Sequence, residues 1–91
     1  HLGGWNYWEE AAEIFPGTKN LYVDCCSSLA WLDPNKARDI IRRYGADRVM
    51  FGTDYPMWKH EAEIARVKAL GLEAEEEEMI FYGTAAGFLG L

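Results

Sequence analysis

Two short apolar runs, residues 21–26 (LYVDCC) and 48–51 (RVMF), are the strand-length segments of this sequence, and a helical pattern follows each. Strands alternating with helices pair in parallel through right-handed crossovers, and a parallel sheet is normally covered on both faces. Two strands cannot close a sheet or be doubly covered. The chain is therefore expected to be a piece of a larger α/β structure, either a (β/α)8 barrel or a doubly wound sheet. Its length agrees: 91 residues lies below the usual domain size of about 100–150. The start at His1 rather than Met adds to this expectation.

The remaining elements follow from periodicity and stop signals. Asn6 stands three before Glu9, a capping-box pattern that predicts a short helix through Phe15, stopped by Pro16-Gly17. Asp33-Pro34 predicts a helix start, and Ala37, Ile40, Ile41 and Tyr44 recur at helical spacing up to Gly45. From about His60 a third helix is expected to bury Ile64, Ala65, Val67 and Leu70 and to close at Gly71. A last helix is expected over residues 74–82, ended by Gly83, with Thr84 capping a terminal turn that carries Phe88, Leu89 and Leu91. No repeat or linker divides the chain.

Composition narrows the function classes. A hydrophobic share of 49% with four Trp excludes a disordered tail, and a net charge of −6 leaves no electrostatic footprint for nucleic acid. No apolar run approaches the ~20 residues of a membrane span, and no signal peptide pattern opens the chain, so a soluble, cytoplasmic protein without a membrane partner is expected. Cys25 and Cys26 are adjacent and cannot staple distant segments, which suits a reducing compartment.

Reactive groups of α/β folds gather at the carboxyl ends of the strands. Three segments qualify: His1-Leu2-Gly3-Gly4, Asp24 with Cys25-Cys26-Ser27-Ser28, and Gly52-Thr53-Asp54-Tyr55-Pro56. Taken alone, Asp54 reads as a turn former, His1 as a terminal remnant, and Ser27 and Ser28 as loop residues that could line the mouth of a site. Cys25 and Cys26, with no C-x-x-C spacing, read as small buried residues at a strand end. His60, between Lys59 and Glu61, reads as solvated, and so does the acidic run 75–78 at a helix N-terminus.

The segments HLGG (1–4), LYVD (21–24) and GADRVMFGTDYP (45–56), in that order and spacing, resemble the amidohydrolase superfamily. The closer likeness is to its amidohydrolase-related metal-dependent hydrolase branch, which also holds decarboxylases similar to aminocarboxymuconate semialdehyde decarboxylase. The tail IFYGTAAGFLGL resembles the family's ending, with Thr84 and Gly87 where that ending usually carries Asn and Arg. The resemblance implies that residues 1–91 are a partial TIM (β/α)8 barrel, its C-terminal third, with the N-terminal two-thirds absent. Strands ending near His1, Cys25 and Asp54 would be the sixth, seventh and eighth of a barrel of about 250 residues. The family's H-x-H pair and its middle-strand ligands have no counterpart here.

By the same resemblance, Asp54 is a catalytic residue and metal ligand that orients a water and takes its proton, and His1 is a catalytic group that polarises a substrate carbonyl or assists proton transfer. Gly3-Gly4 would let the backbone pass close to a ligand. Among the flanking aromatics Trp5, Tyr7, Trp8, Tyr55 and Trp58, the implied substrate-binding residues are Trp5 and Tyr55. The cofactor implied is a divalent metal, zinc, in the intact parent, and the partner a small-molecule substrate. The function implied is a metal-dependent hydrolase in which a metal-activated water attacks a small carbonyl compound. Two alternatives stay open: a non-oxidative decarboxylase, for which Lys59 is the one nearby cation, and a non-catalytic truncated or split-barrel piece. Either way the chain is expected to pair with itself or with the rest of its barrel.

Overall fold

Asp33 and Pro34 begin the longest helix of the chain. In the computed structural model, which describes residues 1–91, the Asp33 carboxylate accepts from the backbone N–H of Asn35 and Lys36 at 3.0 and 3.3 Å. The helix, here α2, spans Pro34–Tyr44, buries Ala37, Ile40, Ile41 and Tyr44, and ends at Gly45. Capping, first-turn proline and apolar stripe all point the same way, and the helix follows the predicted bounds.

α2 is the crossover between two parallel strands, β1 Val23–Asp24 and β2 Val49–Met50, with Val23 opposite Val49 and Asp24 opposite Met50. Both are shorter than the runs 21–26 and 48–51. Arg48 belongs to a 3-10 turn, Ala46–Arg48, and beyond Cys25 the chain bends into a left-handed residue, Ser27 (φ 50°). On the other edge of β1, Leu2 N–H donates to the Asp24 carbonyl at 2.7 Å. The segment carrying His1 thus flanks β1 as β1 flanks β2.

The faces of this small sheet differ. Val23, Cys25 and Val49 enter a core of 13 buried residues that includes Leu2, Ile40, Ile41, Val67 and Ile80. Asp24, Cys26 and Gly52 lie on the opposite side, where a Cβ on Gly52 would meet the Asp24 and Cys26 side chains at 3.5 Å. Asp24 is half-buried, so β1 is covered on one face rather than both.

The helices around the sheet correct several expectations. The first helix, α1, is Trp8–Ile14, and Asn6 does not cap it: Asn6 is left-handed (φ 66°) inside a turn in which Tyr7 N–H donates to the Gly4 carbonyl. Helix α3, His60–Lys68, buries Glu63 and Val67, with Leu70 buried just beyond its end, while Ile64 and Ala65 are exposed. The inward stripe is therefore rotated by one position from the expected one. Buried Glu63 is matched by an ion pair with Arg66.

Helix α4, Ala74–Glu78, does not stop at Gly83 either. It widens into a π-helical turn, Met79–Gly83, and continues as α5, Thr84–Leu89. Gly83 keeps helical dihedrals (φ −61°, ψ −41°) and so does not end the helix; a Cβ there would lie 2.8 Å from the flexible Met79 Sδ. Thr84 is helical rather than a cap, and its hydroxyl donates to the Ala46 carbonyl at 2.7 Å. In the acidic run, Glu76 is not merely solvated, since it closes a capping box with Glu73 and pairs with Arg42 at 2.9 Å. No helix is long and apolar enough to cross a membrane.

Candidate active site

The residues after each strand segment converge at one end of the sheet. His1 Nε2 stands 3.9 Å from Asp54 Oδ2, although 53 positions separate the two in sequence order from 1 to 54. The Ser27 hydroxyl donates to the same Asp54 oxygen at 2.8 Å, and the Trp58 indole N–H donates to Ser27 Oγ at 3.0 Å. Asp54, like Ser27, is left-handed (φ 57°), a backbone state that costs an L residue roughly 1–2 kcal/mol. Its loop is tied by Met57 N–H to the Asp54 carbonyl at 2.9 Å and by Tyr55 N–H to Thr53 Oγ1 at 3.2 Å.

The other imidazole nitrogen, Nδ1, lies 3.0 Å from Cys26 Sγ. Cys26 N–H in turn donates to Asp24 Oδ1 at 3.0 Å, so that one donor atom each from His1, Asp24 and Cys26 falls within 4.8 Å of the others. Cys25 and Cys26 are buried free thiols, as expected of small residues at a strand end. The neighbouring histidine was not expected and comes from the strand segment beside β1. Burial first, and then the Asp24 carboxylate, push the Cys26 thiol up to about 11, which keeps it protonated at neutral pH.

A cavity of about 300 Å³ opens among His1, Trp5, Ser27, Trp31, Asp54 and Met57. Its apolar side continues into a row of edge-on tryptophans: Trp8 to Trp5 at 6.2 Å, Trp5 to Trp31 at 6.5 Å, and Trp31 to Trp58 at 6.1 Å between ring centroids. Trp5 thus borders the cavity. Tyr55 does not: it is 69% exposed and its ring faces His60, which is itself exposed. A larger cleft, about 400 Å³, lies between α1 and the start of α2; it shares Trp31 with the cavity, but its walls carry the Glu9–Lys36 ion pair and none of His1, Ser27 and Asp54.

Gly3 has a packing role rather than a ligand-facing one. It is left-handed (φ 94°), and a Cβ there would fall on the Tyr44 hydroxyl and lie 2.9 Å from Ala11 Cβ. Trp31, Met57 and the Cys26 thiol are site neighbours that sequence reasoning missed. The usable signal was position, since each sits in a segment following a strand.

The family described as amidohydrolase matches the chain over residues 1–91. Among solved structures, a Pseudomonas putida protein with a proposed 2-pyrone-4,6-dicarboxylic acid hydrolase activity superposes with a TM-score of 0.65 at 24% identity. That match covers 99% of this chain and 38% of the other, so the chain spans well under half of its length. None of the curated proteins matches the sequence.

Proposed function

Because the chain belongs to the amidohydrolase family, we propose that it supplies the sixth to eighth strand–helix units of a (β/α)8 barrel and, within them, part of a metal-dependent hydrolytic site. The supporting observation is the approach of His1 Nε2 to Asp54 Oδ2, 3.9 Å, from segments that lie on either side of β1. The donor chemistry fits part of a divalent centre: zinc accepts imidazole nitrogen and carboxylate oxygen and needs about three protein ligands, of which Asp54 is one. The others would come from the strands that complete the barrel. When bound, the cation polarises a carbonyl and lowers the pKa of a water from 15.7 to about 7.

The chain's own residues account for the rest. Asp54 orients the attacking water and accepts its proton. His1, at the cavity wall, reaches the substrate carbonyl or the leaving group through Nε2. Trp5, with Trp31 and Met57, covers the apolar part of a small carbonyl substrate and excludes bulk water. The branch that resembles this chain also holds non-oxidative decarboxylases. Their chemistry calls for a cation to hold a substrate carboxylate, and the residues this chain places on the cavity include no Lys or Arg, so hydrolysis is the reading we take. Two unpaired thiols suit a reducing, cytoplasmic setting.

Exposed apolar groups such as Ile14, Ile64, Tyr82 and Leu89 fit association with the rest of the barrel or with a second copy. The test is Asp54→Asn in the full-length protein, assayed for metal-dependent hydrolysis of small esters, lactones and amides. The swap is nearly isosteric, so turnover is expected to vanish while the melting temperature holds. Activity near wild type would return Asp54 to the role of turn former.

A further inference from the structure

We infer that Ser27 is the positioning residue of Asp54, fixing the orientation in which its carboxylate meets metal or water. The inference rests on the reading of Asp54 given above. Ser27 is 3% exposed, and its hydroxyl has two strong partners. An indole N–H can only donate, so at the 3.0 Å contact with Trp58 the Ser27 oxygen must accept. The single hydroxyl hydrogen is then free for Asp54 Oδ2 at 2.8 Å, a better acceptor than the Met57 sulfur at 3.8 Å. The order Trp58 to Ser27 to Asp54 is therefore forced by the donor and acceptor chemistry of the three groups.

The Asp54 carboxylate needs such a hold. Its side chain is 43% exposed, and Ser27 is its one hydrogen-bond partner, the His1 imidazole at 3.9 Å being beyond hydrogen-bond reach. The Ser27 bond restrains rotation of the carboxylate and keeps Oδ2 on the side of His1, with lone pairs left on both oxygens. Trp58 is held in its turn, because the Arg66 guanidinium sits 5.3 Å over its ring and Arg66 pairs with buried Glu63. The hold on Asp54 is thus rooted in helix α3.

Removing a partner of this kind typically weakens metal affinity by about 10–100-fold. The experiment strips the full-length protein of metal and titrates it with Co²⁺, following visible absorption and thermal melting. Ser27→Gly removes the hydroxyl but suits the left-handed backbone (φ 50°), which offsets part of the two lost hydrogen bonds, so it is expected to fold with a cooperative melt near or somewhat below wild type while binding Co²⁺ about tenfold more weakly. Its Co²⁺ band should also shift. Trp58→Phe keeps an aromatic ring under Arg66 but loses the N–H together with part of the indole's area, and is expected to weaken binding in the same direction by less. If Ser27→Gly titrates within about twofold of wild type while Asp54→Asn loses affinity, Ser27 is only a turn residue and the inference fails, although the reading of Asp54 stands. If Asp54→Asn itself titrates like wild type, that reading fails first and takes the inference with it.

Discussion

The hydroxyl of Tyr44 occupies the place that a Cβ on Gly3 would need. Tyr44 donates to the Leu2 carbonyl at 3.2 Å, and Leu2 N–H donates to Asp24, so this contact sets the segment that carries His1 against β1. Gly3→Ala combines a positive φ with displacement of a buried hydroxyl. We expect it to cost about 2–4 kcal/mol in urea unfolding of the full-length protein. A loss below about 1 kcal/mol would mean that the segment is not anchored through Tyr44.

Arg66 is expected to matter more for stability than an ordinary surface cation. Its partner Glu63 is 1% exposed, so Arg66→Ala strands a carboxylate in the core. Breaking a buried pair costs about 3–5 kcal/mol, and with Arg66 itself 35% exposed the expected loss is about 2–3 kcal/mol. Glu63→Gln, which removes the charge and keeps the shape, should be milder. Denaturant midpoints of both variants decide it, and equal, negligible losses would contradict the pairing.

Stability should also fall on the alkaline side. Burial pushes the Cys25 thiol from 9.0 up to about 11, so on raising the pH the unfolded chain loses this proton first. The contribution is whole below pH 9, declines between 9 and 11, and has an upper bound near 3 kcal/mol for two pKa units. Burial raises Tyr44 too, so Cys25→Ala should make the decline shallower without abolishing it. Urea midpoints measured from pH 8 to 10.5 report this, and an unchanged slope in Cys25→Ala would refute it.

The 91-residue segment on its own is expected to bind zinc weakly, because Asp54, with His1 beside it at 3.9 Å, supplies too few ligands for a closed site. Calorimetric titration of the segment against the full-length protein tests this. A stoichiometric submicromolar site in the segment alone would point to a different centre, and the His1, Asp24 and Cys26 cluster would be the place to look.

Helix α2 could be read from the sequence because its signals are local: a capping Asp33, Pro34 next to it, a stripe ending at Tyr44 and a stop at Gly45. The π-helical turn could not. Within it the Ile80 carbonyl accepts from Phe51 N–H at 2.8 Å, a contact with the segment after β2 that periodicity along one helix does not contain. Glu63 misled for a similar reason, since a charged residue reads as outward until its cation is seen beside it. In the candidate site, the meeting of the His1 and Asp54 segments at one end of the sheet was legible from their places after strands. Ser27 was legible as a residue that could line the mouth, but its bond to Asp54 and the direction of Cys26 were not, because both depend on the bend after β1, where a left-handed serine stands instead of the glycine that would have signalled it.

The unlike faces of the β1–β2 pair bear on how such a protein can change over generations. The side chains of Val23, Cys25 and Val49 belong to the core, whereas those of Asp24 and Cys26 meet at Gly52 and reach the neighbourhood of His1. Substitutions that share no partners have nearly independent effects. Alternate positions along a single short strand therefore answer to different constraints, one set from packing in the core and the other from the neighbourhood of His1. Substitutions in the second set can reshape that neighbourhood while the core stays still.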